Sequence, residues 1–364
     1  MVSWCPWGPS GMIHRMAGEQ SEPGRSRWRV LRPWRWPRRW RWLVALALTP
    51  VLVASSAFAV AYEKGGWYGV NVMLRRGASV WGDVAPDDSR LSPGIRLSLA
   101  GQRTPDPAEP VRWRGVAAGL DVAELPVRVG GRPVDALLLS RVDPARYRFR
   151  VLNRAAGDRD VGGWMAATGA SLVVNGSYYA HDGPPDTPVV SDGHRLGPAS
   201  YQATHGAFVV GGPGDPDGAR LVDLAGLDWR RVTDGASQAM VSYPMLLGAD
   251  GHGRTGGADE RWLANRSFLG QDGAGRIIVG TTRDAYFSLP ALAAFLPRAG
   301  LDLRLALNLD GGPVACQKVS AGGYKRDFCG RYELAVHGGR LQLLRSLVDF
   351  RRWALPMALV AVPR

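Results

Sequence analysis

The chain has 364 residues, more than one average domain needs and enough for one large domain plus an appendage. Its 46% hydrophobic content, together with 47 Gly and 26 Pro, excludes a disordered chain and describes a turn-rich globular protein. The net charge of +13 invites nucleic acid as a partner, but residues 1–64 carry ten Lys/Arg against three Asp/Glu, so more than half of the excess is confined to the leader.

Within that leader Arg is interleaved with Trp from Arg25 to Trp42, as in Arg32-Pro33-Trp34-Arg35-Trp36. Such a tract suits single-stranded nucleic acid, and equally anionic lipid head groups with Trp at the interface. The next segment decides between them. Trp42 to Tyr62 is a run of 21 residues without a charge, long enough at about 1.5 Å per residue to cross a hydrocarbon core of roughly 30 Å. Basic residues crowd its N-terminal side and only Lys64 lies close on the other, so residues 1–41 are expected in the cytoplasm, with the basic leader on anionic lipid, and the rest outside. No nucleic-acid partner is expected. Ala57-Phe58-Ala59 has the small-x-small form of a cleavage site, so removal as a signal segment competes with retention as an anchor; the long cytoplasmic extension favours retention. The expected location is a single-pass membrane protein with an extracytoplasmic C-terminal domain.

Residues 63–114 are dominated by Pro, Gly, Asp and Arg, with short apolar pieces at Val70-Val72 and Ile95–Leu99. They read as a juxtamembrane linker with one or two strands. From Gly115 the pattern turns to β: Val134–Ser140 and Tyr147–Leu152 alternate as strands around the polar turn Arg141-Val142-Asp143-Pro144. Helical periodicity marks Val161–Thr168 and Leu289–Arg298, and Trp353–Val362 reads as an apolar strand too short to span a membrane. The expected fold of residues 115–364 is α+β, a mixed, mostly antiparallel sheet with a few packed helices, preceded by one N-terminal transmembrane helix over 42–62.

Cysteine usage agrees with export. Cys316 and Cys329 are separated by 13 positions around Gly322-Gly323, which lets the segment fold back for a disulfide; two unrelated buried thiols are the alternative. No Cys-x-x-Cys pair or His cluster marks a zinc site.

Two stretches concentrate chemistry. Ala170–Val174 is an apolar strand ending in Asn175-Gly176-Ser177-Tyr178-Tyr179, and Leu305–Leu309 alternates into Asp310-Gly311-Gly312. A strand that delivers a polar side chain to a glycine turn places it at a sheet edge, where a ligand can approach the backbone. Asn-Gly and Asp-Gly are also ordinary hairpin dipeptides. The two segments resemble the signatures of the phosphodiester glycosidase family, Asn-Gly-Gly-Tyr/Phe-Phe and Asn-Leu-Asp-Gly-Gly-Gly-Ser. Between them, Pro188–Gly193 is similar to the family's Val-Val-Ser-Asp-Gly hairpin and Asn265–Gly270 to its Pro-Arg-Thr-Ala-Ile-Gly strand. The chain departs from the pattern at Ser177, Ser267, Pro313 and Val314.

The resemblance implies hydrolysis of a sugar–phosphate diester at the sugar carbon, releasing sugar and a phosphomonoester, on envelope or exopolysaccharide glycans. Such a reaction needs a carboxylate and a group that holds the leaving phosphate. Asp310 is expected as the essential carboxylate, Asn175 as the group that bonds sugar or orients water, and Asp182 as the second carboxylate. Arg266 is the expected phosphate clamp, with Asn308 beside it and the backbone N–H groups of Gly176, Gly311 and Gly312 lining the phosphate. Tyr178 or Tyr179 is expected to stack on the sugar; His181, His194 and His205 all fall near these segments, and His205, just before an apolar strand, is the one to test first. No cofactor is expected; a divalent cation stays open, although one Asp-Gly-Gly turn offers few ligands. A polysaccharide-binding module without turnover and a phosphodiesterase cutting on the phosphorus side are the competing readings.

Overall fold

The computed structural model describes residues 37–76, 79–180, 183–212, 218–346 and 353–364. The Arg/Trp tract up to residue 36, and His181 and Asp182, lie outside the described residues. The chain divides into two compact units, Met1–Val53 and Ala54–Arg364. The described part of the first belongs to a helix, Arg38–Arg76, that contains Pro50. Its stretch Arg39–Glu63 is long and apolar enough to cross a membrane, and its sequence also suits a signal segment.

The region after Tyr62 differs from the linker expected there. The helix continues to Arg76 and takes in Val70-Val72. Ile95–Leu99 belongs to a second helix, Pro93–Leu99, because Ser92 accepts the Ile95 amide at 3.1 Å and Pro93 supplies a helical φ at the first position. Among the described residues between the two helices, Ser79–Asp83 forms a strand, within the one or two expected.

From residue 114 the chain is a set of antiparallel sheets with few helices, as the sequence pattern implies; every strand pairing among the described residues is antiparallel. A seven-stranded sheet runs in the order Met245–Leu247, Leu303–Asn308, Ser267–Asp272, Ile277–Thr282, Arg132–Val142, Leu120–Val129, Arg114–Ala117. A five-stranded sheet runs Tyr324–Cys329, Cys316–Ala321, Leu172–Asn175, Met357–Pro363, Tyr147–Asn153. A second five-stranded sheet runs Ala219–Asp223, Gly206–Val210, Gln238–Ser242, Val189–Ser191, His194–Leu196. A small sheet of four joins Ser79–Asp83, Arg340–Ser346, Glu333–His337 and Leu263–Ala264.

The three larger sheets turn apolar faces onto one core that includes Leu269, Leu307, Phe149, Val174, Leu359, Phe208 and Met240. Phe149 and Phe208 meet edge to face there, with centroids 5.5 Å apart. Each such side chain contributes on the order of 2 kcal/mol by leaving water. The far side of the seven-stranded sheet packs Leu139 and Phe268 against Phe287 and against Leu292 and Phe295 of the helix Leu289–Phe295. The helix Val161–Thr168, capped by Asp160 and stopped by Gly169 at φ 64°, lays Trp164 on Val173 and Val360 of the first five-stranded sheet.

Two turns form as their residues dictate. Asp192 and Gly193 both take positive φ between paired strands, and so do Gly322 and Gly323, the two-residue hairpin geometry whose twist matches the strands. The second hairpin sets Cys316 opposite Cys329, with Cα atoms 4.0 Å apart, and the disulfide is formed.

Candidate active site

Strand ends from different sheets converge where the two signature segments meet. Leu172–Asn175 and Leu303–Asn308 end side by side, and main-chain bonds knit the loops that follow. The Asp310 amide donates to Gly176 O at 3.2 Å, Gly312 N to Asn265 O at 2.8 Å, and Leu309 N to Ser267 O at 2.9 Å. The site is therefore built from residues near 175, 265 and 310 at once.

Asn175 is buried and fully employed. Its Nδ2 donates to the Asp310 carbonyl at 2.9 Å and to Gly176 O at 3.1 Å, while Oδ1 accepts from Cys316 N at 3.1 Å. Asn308 does the same on the other side: Nδ2 donates to Tyr178 Oη at 2.8 Å, Tyr243 O at 3.2 Å and Leu309 O at 2.6 Å, leaving its buried Oδ1 without a protein partner. Ser177, a departure from the family pattern, joins a hydroxyl chain: Thr187 Oγ1 donates to Ser177 Oγ at 3.2 Å, Ser177 Oγ to Ser242 Oγ at 2.9 Å, and Ser242 Oγ to Asn308 O at 2.6 Å. Pro313 fits because it sits in the first turn of a short 3-10 helix, Gly312–Val314, where an N–H has no intrahelical partner to lose.

The expected glycine cradle is absent from this arrangement. The Gly176 amide donates to Met357 O at 2.9 Å, Gly311 to Asp310 Oδ1 at 2.8 Å, and Gly312 to Asn265 O at 2.8 Å. All three N–H groups are committed within the protein. The glycines serve close packing instead: a Cβ on Gly176 would meet Met357 Cγ at 2.4 Å, and one on Gly312, at φ +69°, would meet Glu333 Oε2 at 2.3 Å.

That last contact reveals a residue the sequence reading missed. Glu333 opens the strand Glu333–His337 and lies against the Asp310-Gly311-Gly312 turn, with its Oε1 accepting from Trp262 Nε1 at 3.3 Å. Asn265 holds it there by accepting the Arg331 and Tyr332 amides on Oδ1 at 2.9 and 3.0 Å. Burial pushes the Asp310 carboxyl up to about 8, and the nearby negative charge of Glu333 adds to that. Burial likewise raises Glu333, against the opposing pull of Arg266. The two carboxyls thus share a site that favours keeping a proton at neutral pH.

Arg266 completes the group. It is 5% exposed, donates from Nη2 to Trp262 O at 2.8 Å and from Nε to Phe287 O at 3.5 Å, and its Nη1 faces Gly311, 3.2 Å from where a Cβ would lie. Burial lowers its pKa, while Tyr178, Glu333 and Asp310 raise it. Among the described residues no carboxylate comes within 4.0 Å of this guanidinium. A buried cation without a contact ion pair is costly, and the arrangement suits an anion brought by a ligand.

The aromatic and histidine expectations sort differently. Tyr178 is tied down: its hydroxyl donates to Tyr243 O at 3.0 Å, and its ring stacks on Tyr243 with centroids 4.3 Å apart. Burial raises its pKa, as does the Asp310 charge. Tyr243 is half-buried, as Tyr178 is, and feels the charges of Asp186 and Asp310; nothing in its local sequence marked it. Tyr179 packs into the separate apolar cluster around Trp164. His205 accepts the Met245 amide on Nδ1 at 3.3 Å, and burial lowers its pKa, which keeps it neutral and structural. Among the described residues no group of three or more His, Cys, Asp or Glu could hold a metal ion.

The sequence model described as phosphodiester glycosidase matches residues 168–316, which bears out the resemblance carried by the signature segments. No curated protein matches the chain. Among solved structures the chain is similar to the zebrafish N-acetylglucosamine-1-phosphodiester alpha-N-acetylglucosaminidase catalytic domain auto-inhibited by its pro-peptide, at 17% identity and a TM-score of 0.46, covering 72% of this chain and 89% of that one. It is also similar to a hypothetical protein from Synechocystis, at 13% identity and a TM-score of 0.39, covering 71% of this chain and 64% of the other.

Proposed function

We propose that this chain, which matches the phosphodiester glycosidase family over residues 168–316, hydrolyses a sugar–phosphate diester at the anomeric carbon. The observation that carries the reading is Arg266. Among the described residues no carboxylate contacts this buried guanidinium, and the charges of Asp310 and Glu333 both act on it from nearby. The diester's phosphate docks on Arg266, whose planar fork matches phosphoryl oxygens. Asp310, holding the proton, bonds the oxygen that departs with the phosphate. Glu333, in its carboxylate form, acts at the sugar carbon, directly or through a water. Asn175 fixes the Asp310 turn, and the buried Asn308 holds Tyr178 beside it through its side-chain amide. Asp182 stays a proposal for a further acidic group.

The apolar helix and the disulfide support a domain held at the outer face of a membrane, with envelope or exopolysaccharide glycans as substrates. The test incubates the full chain with UDP-N-acetylglucosamine and a panel of other sugar phosphodiesters, beside Asp310→Asn. Free sugar and a phosphomonoester, lost in the variant, are expected. Release of sugar 1-phosphate would place the attack at phosphorus and overturn the reading.

A further inference from the structure

The four-stranded sheet that carries Glu333 has two unlike faces. Strand side chains alternate, and residues paired across antiparallel strands share a side. Leu334, Leu343 and Leu263 therefore share one face, and they are buried with Leu91 and Ile95. Glu333, Ala335 and His337 share the other, together with Gln342, Arg340, Asp83 and Trp81, by the pairings Ala335↔Gln342, His337↔Arg340, Asp83↔Gln342 and Trp81↔Leu344. Trp262, one residue before Leu263, falls on this second face by the same alternation.

Beyond the buried Ala335, that face is aromatic, polar and open around His337. Trp262 is 40% exposed and Trp81 37%. Both set their rings edge-on to His337, with centroids at 6.2 and 5.1 Å. Beside them Asp83 accepts from Arg340 Nη1 and Gln342 Nε2, both at 2.8 Å. The row begins inside the catalytic group, because the Trp262 indole N–H donates to Glu333 at 3.3 Å. Large indoles left at the surface of a small sheet lose the benefit of burial and ordinarily mark a binding surface.

We infer that this face is a glycan-binding platform, so that the substrate is a carbohydrate chain whose units beyond the cleaved linkage lie over Trp262, His337 and Trp81. The inference rests on the glycosidase reading of Glu333 and Asp310. A pyranose presents an apolar C–H face suited to an indole and a rim of hydroxyls suited to carboxylate, amide and guanidinium. The Asp83–Arg340–Gln342 group supplies those polar partners within the same sheet face. A lone nucleotide-linked sugar would end at Glu333 and leave the row unused.

The test measures binding rather than turnover. Full-length chain in a detergent without sugar head groups is titrated calorimetrically with linear hexasaccharides of glucose, N-acetylglucosamine and mannose, and with the matching disaccharides. At least one hexasaccharide is expected to bind tenfold or more tightly than its disaccharide. Trp81→Ala is expected to erase that gain and Trp81→Phe to keep most of it, since one aromatic contact is worth about tenfold in affinity. Should the Ala variant melt early, Trp81→Thr, a good strand former, replaces it. Equal affinity for short and long chains in all three series, no binding at all, or a length gain that survives in a folded Trp81 variant would overturn the platform. Failure of the hydrolysis assay with a length-dependent affinity intact would instead remove the enzyme reading and leave the platform standing.

Discussion

The side-chain amide of Asn175 donates to the main-chain carbonyl of Asp310 at 2.9 Å, and its oxygen accepts the amide of Cys316 at 3.1 Å. One buried side chain thus holds both ends of the turn that carries Asp310. Asn175→Ala leaves these groups unpaired and is expected to cost about 2–4 kcal/mol of stability. It should also lower kcat by about 100-fold through misplacement of Asp310. Thermal melts and single-turnover kinetics on the same preparations check the two effects.

Arg266 is predicted to need its planar fork and not merely a positive charge. Arg266→Lys should lower kcat/KM by about 100-fold on any sugar phosphodiester, because an ammonium cannot span two phosphoryl oxygens. Inorganic phosphate should raise the melting temperature of the wild type and leave that of the variant unchanged. An equal shift in both would place the phosphate elsewhere.

Proton occupancy at Asp310 predicts a pH dependence. Its carboxyl is pushed from 3.8 up to about 8 by burial and by Glu333, so between those values the folded chain holds a proton that the unfolded chain has released. Stability should fall as pH rises through that window and level off above it. Asp310→Asn should flatten the upper part of the slope. The lower part persists, because burial also holds Asp135 up to about 6. Activity of the wild type should decline above pH of about 8 as the proton is lost.

Asp135 is predicted to be structural. It is buried and accepts the amides of Ala136, Arg283 and Asp284 on Oδ1 and of Tyr286 on Oδ2, at 2.7 to 3.0 Å. This carboxylate gathers the amides at the bend after Ile277–Thr282, beside the Arg283 N to Ala136 O bond of 3.0 Å. Asp135→Ala should cost about 3 kcal/mol or more, read as a lower denaturant midpoint with an unchanged slope.

Local pattern determined much of this protein. The apolar run before residue 64, the helix Val161–Thr168, the Gly322-Gly323 hairpin that pairs Cys316 with Cys329, and the strands that end in Asn175 and Asn308 are all written in residues adjacent in sequence. Side-chain periodicity and turn chemistry act over a few positions, so a reader of the chain can apply them directly. Tertiary structure alone decided the partners. Glu333 reaches Gly312 because Asn265 pins the loop before it, and Tyr243 lies on Tyr178 because Asn308 bonds both. The amides of Gly176, Gly311 and Gly312, free to cradle phosphate as far as sequence goes, are taken by Met357, Asp310 and Asn265. Such contacts depend on the register between strands far apart in the chain, and register is set by packing the common core, which no single segment encodes.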